Sequence, residues 1–281
     1  MKSNQNVLDL PVPRSKTALM QHLQTLVLRG NPWWIGGLVQ PQKFEAFALK
    51  MAARYPLMRD ERGRTYDRSK GQAGFHFVAF ASEGAIAWWI LCSEGKDSLA
   101  ESGGLDACSA RHAMKADGHI TFEDYVLLYA HKKDARTIID GRTGREKRVI
   151  KDCSTWTWKL RNPIYSELVS ALEKEVRDLR YGDDSPGVAP YGLRGMLVFQ
   201  RRRPLFSGVR SQVLELHRIA EDSWSRVRMV WVGRHPKFAA QYGDNTGKLR
   251  SIREITSRHL PKMGRFKVFG DETMRSLVSP K

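Results

Sequence analysis

Three consecutive arginines, Arg201 to Arg203, stand directly before Pro204. Proline is common in the first turn of a helix, and a helix N-terminus offers free N–H groups and a positive dipole end to an anion. Guanidinium groups add bidentate hydrogen bonds to phosphate. We expect Arg201, Arg202 and Arg203, with Arg210 further along, to form a phosphate clamp between a strand and a helix. The alternative is a basic loop that is merely exposed.

A second basic cluster falls on residues 132–148, which hold seven Lys or Arg residues against three acids. Asp140-Gly141 and Thr143-Gly144 are turn-forming pairs, so this segment is predicted to be the tip of an extended β-hairpin. A basic two-stranded ribbon can enter a DNA groove or follow a phosphate backbone, whereas a solvated loop is the alternative. The candidate contact residues are Lys132, Lys133, Arg136, Arg142, Arg145, Lys147 and Arg148.

A third cluster lies in residues 58–74, which we predict to be a charged loop containing glycine. Its basic residues alternate with small residues and with Tyr66. That mixture suits contact with a single-stranded backbone and stacking of a base on the ring. The candidate contact residues are Arg62, Arg64, Arg68 and Lys70.

Metal and nucleotide motifs are incomplete in this sequence. Around Gly118 the positions that calcium ligands would occupy hold Ala113 and Lys115, so an EF-hand loop is rejected. A phosphate-binding loop ending in Gly-Lys-Ser/Thr is missing. The residue types for zinc are present, but they lack a short Cys–Cys pair; these residues are Cys92, Cys108, His112 and His119. We therefore predict no metal site and no cofactor.

The net charge is the observation on which the functional prediction depends. The chain carries 47 Lys and Arg against 30 Asp and Glu, a formal charge of +17. Residues 226–281 hold 13 bases and 4 acids, whereas residues 83–124 hold 8 acids and 3 bases. Nucleic acid is the commonest partner of so basic a protein. The acidic segment 83–124 is a candidate surface for a protein partner.

Three functional hypotheses remain open. We favour a nucleic-acid-binding protein that acts as a non-catalytic regulatory or accessory factor, and we favour DNA over RNA because no RNP-type or KH motif is visible. The first alternative is a nuclease or RNA-processing enzyme that uses His119, His131 or scattered acids. The second is a protein-interaction module for an acidic partner.

Hydrophobic periodicity supplies the elements that must position these residues. Helices are predicted over 16–28, 41–55, 163–181 and 204–227, and strands over 75–81, 86–92, 125–131, 149–160 and 193–200. In the pair Trp88-Trp89, one side chain should face the core and the other should be exposed or covered by a helix. Trp156 and Trp158 should share a face and fill the core.

This order predicts an α+β fold, mainly an antiparallel sheet with helices packed on one face, followed by an irregular basic C-terminal segment. We divide the chain into a flexible tail over 1–14, a composite domain over 15–230 and the basic segment 231–281. The loop 93–116 is a candidate boundary inside the domain. No apolar run is long enough to span a membrane, no secretion signal is visible and the three cysteines are an odd set, so we expect a cytoplasmic protein without membrane contact.

Overall fold

The computed structural model describes residues 6–101, 110–139, 141–181, 189–234 and 260–278. Within these ranges, side chains are described except at 132–138, 147–152, 176–181, 189–194, 224–225 and 227–234. Helices and antiparallel strands form an α+β fold, as predicted. The chain divides into two compact units. The first comprises Met1–Phe122, Leu127–Trp156 and Arg265–Lys281, and the second comprises Glu123–Val126 and Thr157–Gly264.

A four-stranded antiparallel sheet forms the centre of the first unit. Its strands are β2 (Trp33–Val39), β3 (Phe75–Ser82), β4 (Ala85–Cys92) and β5 (Arg111–His112), in the order β3-β4-β2-β5. The predicted hairpin between β3 and β4 is confirmed, with Ser82 paired to Ala85. Glu83 and Gly84, the two residues of its turn, both have positive φ, as a tight hairpin requires.

Helices α1 (Lys16–Leu28) and α2 (Pro41–Arg54) confirm two predictions based on apolar spacing. Helix α2 buries Phe44 against the sheet, and its Phe47 packs on Trp88 with ring centroids 4.6 Å apart. Trp89 points to the opposite face and contacts Phe122 of strand β6 (Ile120–Phe122) at 5.7 Å. The prediction that one tryptophan is core and the other is covered by a helix is confirmed.

Residues 58–74, predicted to be a loop, contain helix α3 (Glu61–Ser69). Sequence periodicity could not reveal this helix because it has no apolar stripe, and its one buried side chain is Asp67. The predicted loop 93–116 also contains structure in its described part. Arg111–His112 pairs with β2, and Leu99 and Ala113 are fully buried.

The described part of the expected tail is ordered against the core. Val7, Leu8 and Val12 are buried, and strand β1 (Pro11–Pro13) pairs with strand β9 (Phe269–Thr273). A short helix α7 (Arg275–Val278) follows β9. The basic C-terminal segment is therefore regular at its described end. The sequence also predicts a short helix near 251–259, but residues 235–259 lie outside the described residues.

A long hairpin joins strands β7 (Tyr125–Ile139) and β8 (Glu146–Leu160) in a sheet of order β6-β7-β8. Both strands extend further toward the turn than the sequence predicts, so most of the segment 132–148 is strand. Trp156 and Trp158 are both buried, which confirms their assignment to the core.

The described part of the second unit contains the helices α4 (Asn162–Tyr181), α5 (Ala189–Gln200) and α6 (Ser207–Arg234). Their cluster buries Leu172, Leu197, Leu216 and Ala220. The strand predicted over 193–200 is wrong, because a short apolar run fits a strand or a helix equally and contacts decide which forms. The predicted helix over 204–227 begins three residues later and continues to Arg234.

Candidate nucleic-acid interface

Helix α3 is held to the first unit by polar contacts. The Asp60 side chain accepts a hydrogen bond from the Gly63 N–H at 2.6 Å and caps the helix. Asp67 is buried, and its carboxylate lies 3.2 Å from Arg59 Nε. The Gln72 N–H donates to the Asp67 carbonyl at 2.9 Å. These contacts place two of the local acids in structural roles.

The outward side of α3 carries basic, hydroxyl and aromatic side chains. Arg62, Arg68 and Lys70 are exposed, and Tyr66 is 61% exposed. Lys70 Nζ lies 5.5 Å from the Tyr66 ring centroid. A shallow groove of about 370 Å³, open to solvent, is lined by Glu61, Arg62, Thr65, Tyr66 and Ser69. We name these exposed groups, together with Arg64, the α3 surface.

Glu61 is the acid that lines this groove, and it has a basic neighbour from another element. Arg29, at the end of α1, places its guanidinium 3.3 Å from the Glu61 carboxylate, with both side chains well exposed. An exposed pair of this kind contributes little to stability, but it offsets a negative charge beside the cations. No local pattern in the sequence relates Arg29 to residues 58–74.

Arg64 differs from the other cations of α3 because it is partly buried. It donates to the Arg59 carbonyl, and its stem packs over the backbone of Gly74, where an added methyl group would lie 3.4 Å from Arg64 Cβ. Burial lowers the pKa of this guanidinium. Arg64 thus anchors the helix, while Arg62, Arg68 and Lys70 remain toward solvent.

The pKa values of two histidines near α3 are lowered in part by these cations. Burial, followed by the charges of Arg29 and Arg64, lowers the pKa of His22 to about 4. Burial, followed by charges that include Arg64 and Arg68, lowers the pKa of His76 to about 3. Burial is the larger cause for both histidines, and the charges of Arg29, Arg64 and Arg68 add to it.

Lys96 is a further cation that sequence reasoning missed. The Ala73 N–H donates to the Lys96 carbonyl at 3.0 Å, and the Lys96 N–H donates to the Gly71 carbonyl at 2.8 Å. Gly95, at φ +134°, approaches the Gln72 backbone so closely that a side chain would collide with it. These bonds hold exposed Lys96 beside the segment that follows α3. The two segments are more than 20 residues apart, so local sequence patterns do not predict that they are neighbours.

The predicted clamp at Arg201 to Arg203 has a different environment. Arg203 Nη1 lies 3.1 Å from the Asp124 carboxylate and 3.2 Å from the Tyr125 hydroxyl, and Arg203 Nε donates to Gln200 at 2.6 Å. Burial alone would lower the pKa of Arg203, but its bonds to Tyr125 and Asp124 raise it. Arg203 therefore serves the internal structure of the second unit.

The start of helix α6 is also occupied. The Gly208 N–H donates to Thr157 Oγ1 at 2.9 Å, and a side chain at Gly208 would meet the Trp158 carbonyl at 2.5 Å. Arg202 is exposed, Arg201 and Arg210 are half-buried, and Arg201 Nε is buried without a hydrogen-bond partner among the described residues. The first turn of this helix therefore packs on β8.

At the hairpin tip, Arg142 and Arg145 are exposed. The side chains of Lys132, Lys133, Arg136, Lys147 and Arg148 lie outside the described residues, although the strand backbone that carries them is described. Of the histidines proposed for catalysis, His131 lies 2.6 Å from Ser154 across the two strands.

Two acids of segment 83–124 have basic or imidazole neighbours. Asp124 pairs with Arg203, and Glu94 lies 3.5 Å from His112 Nε2. Across the residues that the structure describes, no group of three or more His, Cys, Asp or Glu is arranged to hold a metal ion. Within those same residues, no helix combines the length and apolar character needed to cross a bilayer.

Comparison of the chain with protein-family models, with curated proteins and with solved structures finds no significant match.

Proposed function

We propose that this protein binds nucleic acid, DNA in preference to RNA, as a non-catalytic regulatory or accessory factor whose α3 surface contacts the phosphate backbone. The observation that supports the proposal is the division of charge at this helix. Its acids cap the helix, bind Arg59 or face Arg29, whereas Arg62, Arg68 and Lys70 point to solvent.

Exposed Lys and Arg side chains attract a phosphate chain without reading its sequence, because each neutralised phosphate releases a bound counterion. Tyr66 adds an exposed ring beside these cations, on which an unpaired base can stack. The hydroxyl groups of Thr65 and Ser69 line the same groove, but they donate to the backbone carbonyls of Glu61 and Tyr66 at 2.8 and 2.7 Å, so the phosphate contact is assigned to the cations. The proposed contact is therefore mainly electrostatic and sequence-tolerant.

The experiment removes the three exposed cations together, in the variant R62Q/R68Q/K70Q. Fluorescence anisotropy with labelled duplex DNA, single-stranded DNA and RNA measures affinity from low to moderate salt. We expect affinity to fall by at least about tenfold near 0.1 M salt. The log–log salt slope for duplex DNA should become shallower by about 0.9 for each phosphate that the variant no longer neutralises. Unfolding by urea should be unchanged.

The matched control is K43Q/K50Q/K267Q, which removes the same charge from exposed positions of the first unit. It should reduce affinity much less than the α3 variant. Equal losses from the two variants would refute the assignment to α3, and failure of the wild type to bind any polynucleotide would refute the proposal. Poly-glutamate as the better competitor would favour an acidic protein partner, and cleaved substrate in the presence of Mg²⁺ would favour an enzyme.

A further inference from the structure

The tip of the β7–β8 hairpin presents an uncovered apolar side chain. Ile139, the last residue of β7, is 73% exposed, and every described residue from Gly141 to Glu146 is exposed as well. A β-branched residue in a strand ordinarily packs against a neighbouring surface. Here nothing in the described part of the chain covers it.

The hairpin is buried at its base and exposed toward its turn. On β7, Tyr125 and Leu127 are buried, but Tyr129 and His131, at the following alternate positions, are exposed. On β8 the corresponding change lies between buried Trp156 and exposed Ser154. The strand residues after His131 extend for about 25 Å at the usual rise per residue. Ile139 is thus carried on a two-stranded arm.

The sequence around this apolar tip is basic, and among the described residues 141–146 Arg142 and Arg145 outnumber the one acid, Glu146. Arg142 and Arg145 are exposed in the turn, and the sequence of residues 132–148 holds seven bases against three acids. An arm that meets an apolar protein groove would gain nothing from such a charge, whereas an arm that meets a phosphate backbone would. Charge complementarity therefore selects a polyanion as the occupant.

We infer that the β7–β8 arm enters the minor groove of duplex DNA and that Ile139 inserts between two base pairs as an apolar wedge, unstacking the step and bending the duplex. Proteins that bend DNA commonly use Ile, Leu, Phe, Met or Pro in this way, while basic side chains hold the adjacent phosphates. Insertion buries the Ile139 side chain, and the favourable free energy of this burial offsets part of the cost of unstacking the base pairs. This inference rests on the proposed function and adds a substrate class, duplex DNA, to it.

The test uses a duplex of about 30 base pairs, which is about three helical turns. It carries 2-aminopurine at a central step and a fluorophore at each end. The unstacked 2-aminopurine base becomes brighter, and bending brings the ends closer. Wild-type protein should produce both signals and should bind a centrally gapped duplex about tenfold more tightly than an intact one, since the gap removes the unstacking cost.

The variant Ile139→Ala should lose the 2-aminopurine increase, the bend and the preference for the gapped duplex, while keeping the salt dependence contributed by α3. The matched control is Leu38→Ala, which trims another aliphatic side chain that is 71% exposed in the first unit. It should behave as the wild type does.

Two results would overturn the inference. In one, both proteins bind DNA, and Ile139→Ala bends and unstacks it as well as the wild type does. The role of Ile139 as a wedge is then refuted, while the proposed function stands. In the other, sedimentation shows that Ile139 mediates self-association and DNA signals do not depend on it. Absence of any DNA binding by the wild type is a separate outcome, because it removes the proposed function as well.

Discussion

The α3 surface and the turn that carries Arg201 to Arg203 are both arginine-rich in sequence, but their charges have different surroundings. At α3, the acids are used within the helix or by neighbouring arginines, and three cations remain exposed. At the turn, Arg203 is 13% exposed and bonds to Asp124, Tyr125 and Gln200. An arginine cluster thus becomes a candidate binding surface only when the acids near it are satisfied elsewhere.

The largest expected effect tests the internal role of Arg203. In Arg203→Gln, Asp124 keeps its charge but loses its partner, so we expect the free energy of unfolding to fall by about 2 kcal/mol. Urea denaturation measures the change. Arg202→Gln is the control and should stay within about 0.5 kcal/mol, because Arg202 is exposed. Loss of DNA affinity by folded Arg203→Gln, with unchanged stability, would instead make Arg203 a ligand-binding residue like those of α3.

A smaller effect concerns the cations near His22 and His76. Both histidines have a folded-state pKa below the ordinary value of 6.5, so the unfolded chain binds protons that the folded chain does not. Their contribution to stability is therefore fully present above about pH 7 and falls as the pH drops toward 4. Between pH 8 and pH 6 the expected loss is about 0.8 kcal/mol for each histidine.

The measurement is urea denaturation as a function of pH, with His22→Gln and His76→Gln as variants that should each flatten the profile. NMR titration adds a sharper readout, because Arg68→Gln should raise the pKa of His76 by removing a nearby positive charge. If the pKa of His76 is the same in Arg68→Gln as in the wild type, the cations of α3 do not lie near this histidine.

The smallest effect distinguishes the acids of the two regions. Glu61→Gln removes a negative charge from the α3 groove, so DNA affinity at low salt should rise by roughly twofold to fivefold. Stability should hardly change, since the Arg29–Glu61 pair is exposed. Anisotropy and urea denaturation measure the two quantities. A weakened affinity would show that Glu61 supports the surface, which is the role Asp124 has for Arg203.

Much of the fold could be predicted from the sequence because apolar spacing records which face is buried. Helix α1 begins and ends at the predicted residues, and the β3–β4 hairpin and both tryptophan assignments follow from alternation. Helix α3 could not be found in this way, since its contacts are polar. Helix α5 could not be distinguished from a strand, because the contiguous apolar run from Met196 to Phe199 has no period, although Leu197 is buried and Phe199 is 60% exposed.

The candidate site was only partly predictable, for a reason of distance in sequence. The basic residues of α3 could be named from their local density. Their neighbours Arg29 and Lys96 come from other elements, and the Asp124 that engages Arg203 lies 79 residues before it. Pairing of charges is decided by tertiary structure, and a single sequence does not report it.

The pairing of Pro11–Pro13 with Phe269–Thr273 has a consequence for biosynthesis. The strand that pairs with β1 is translated about 260 residues after Val7, Leu8 and Val12, which takes tens of seconds at ordinary elongation rates. During that interval the edge of β1 that pairs with β9 has no partner strand, whereas Val7, Leu8 and Val12 share a core cluster with α2 and β3, which are translated much sooner. Nascent-chain chaperones are suited to cover such an edge, and slow codons within the last stretch would lengthen the time for which they must do so.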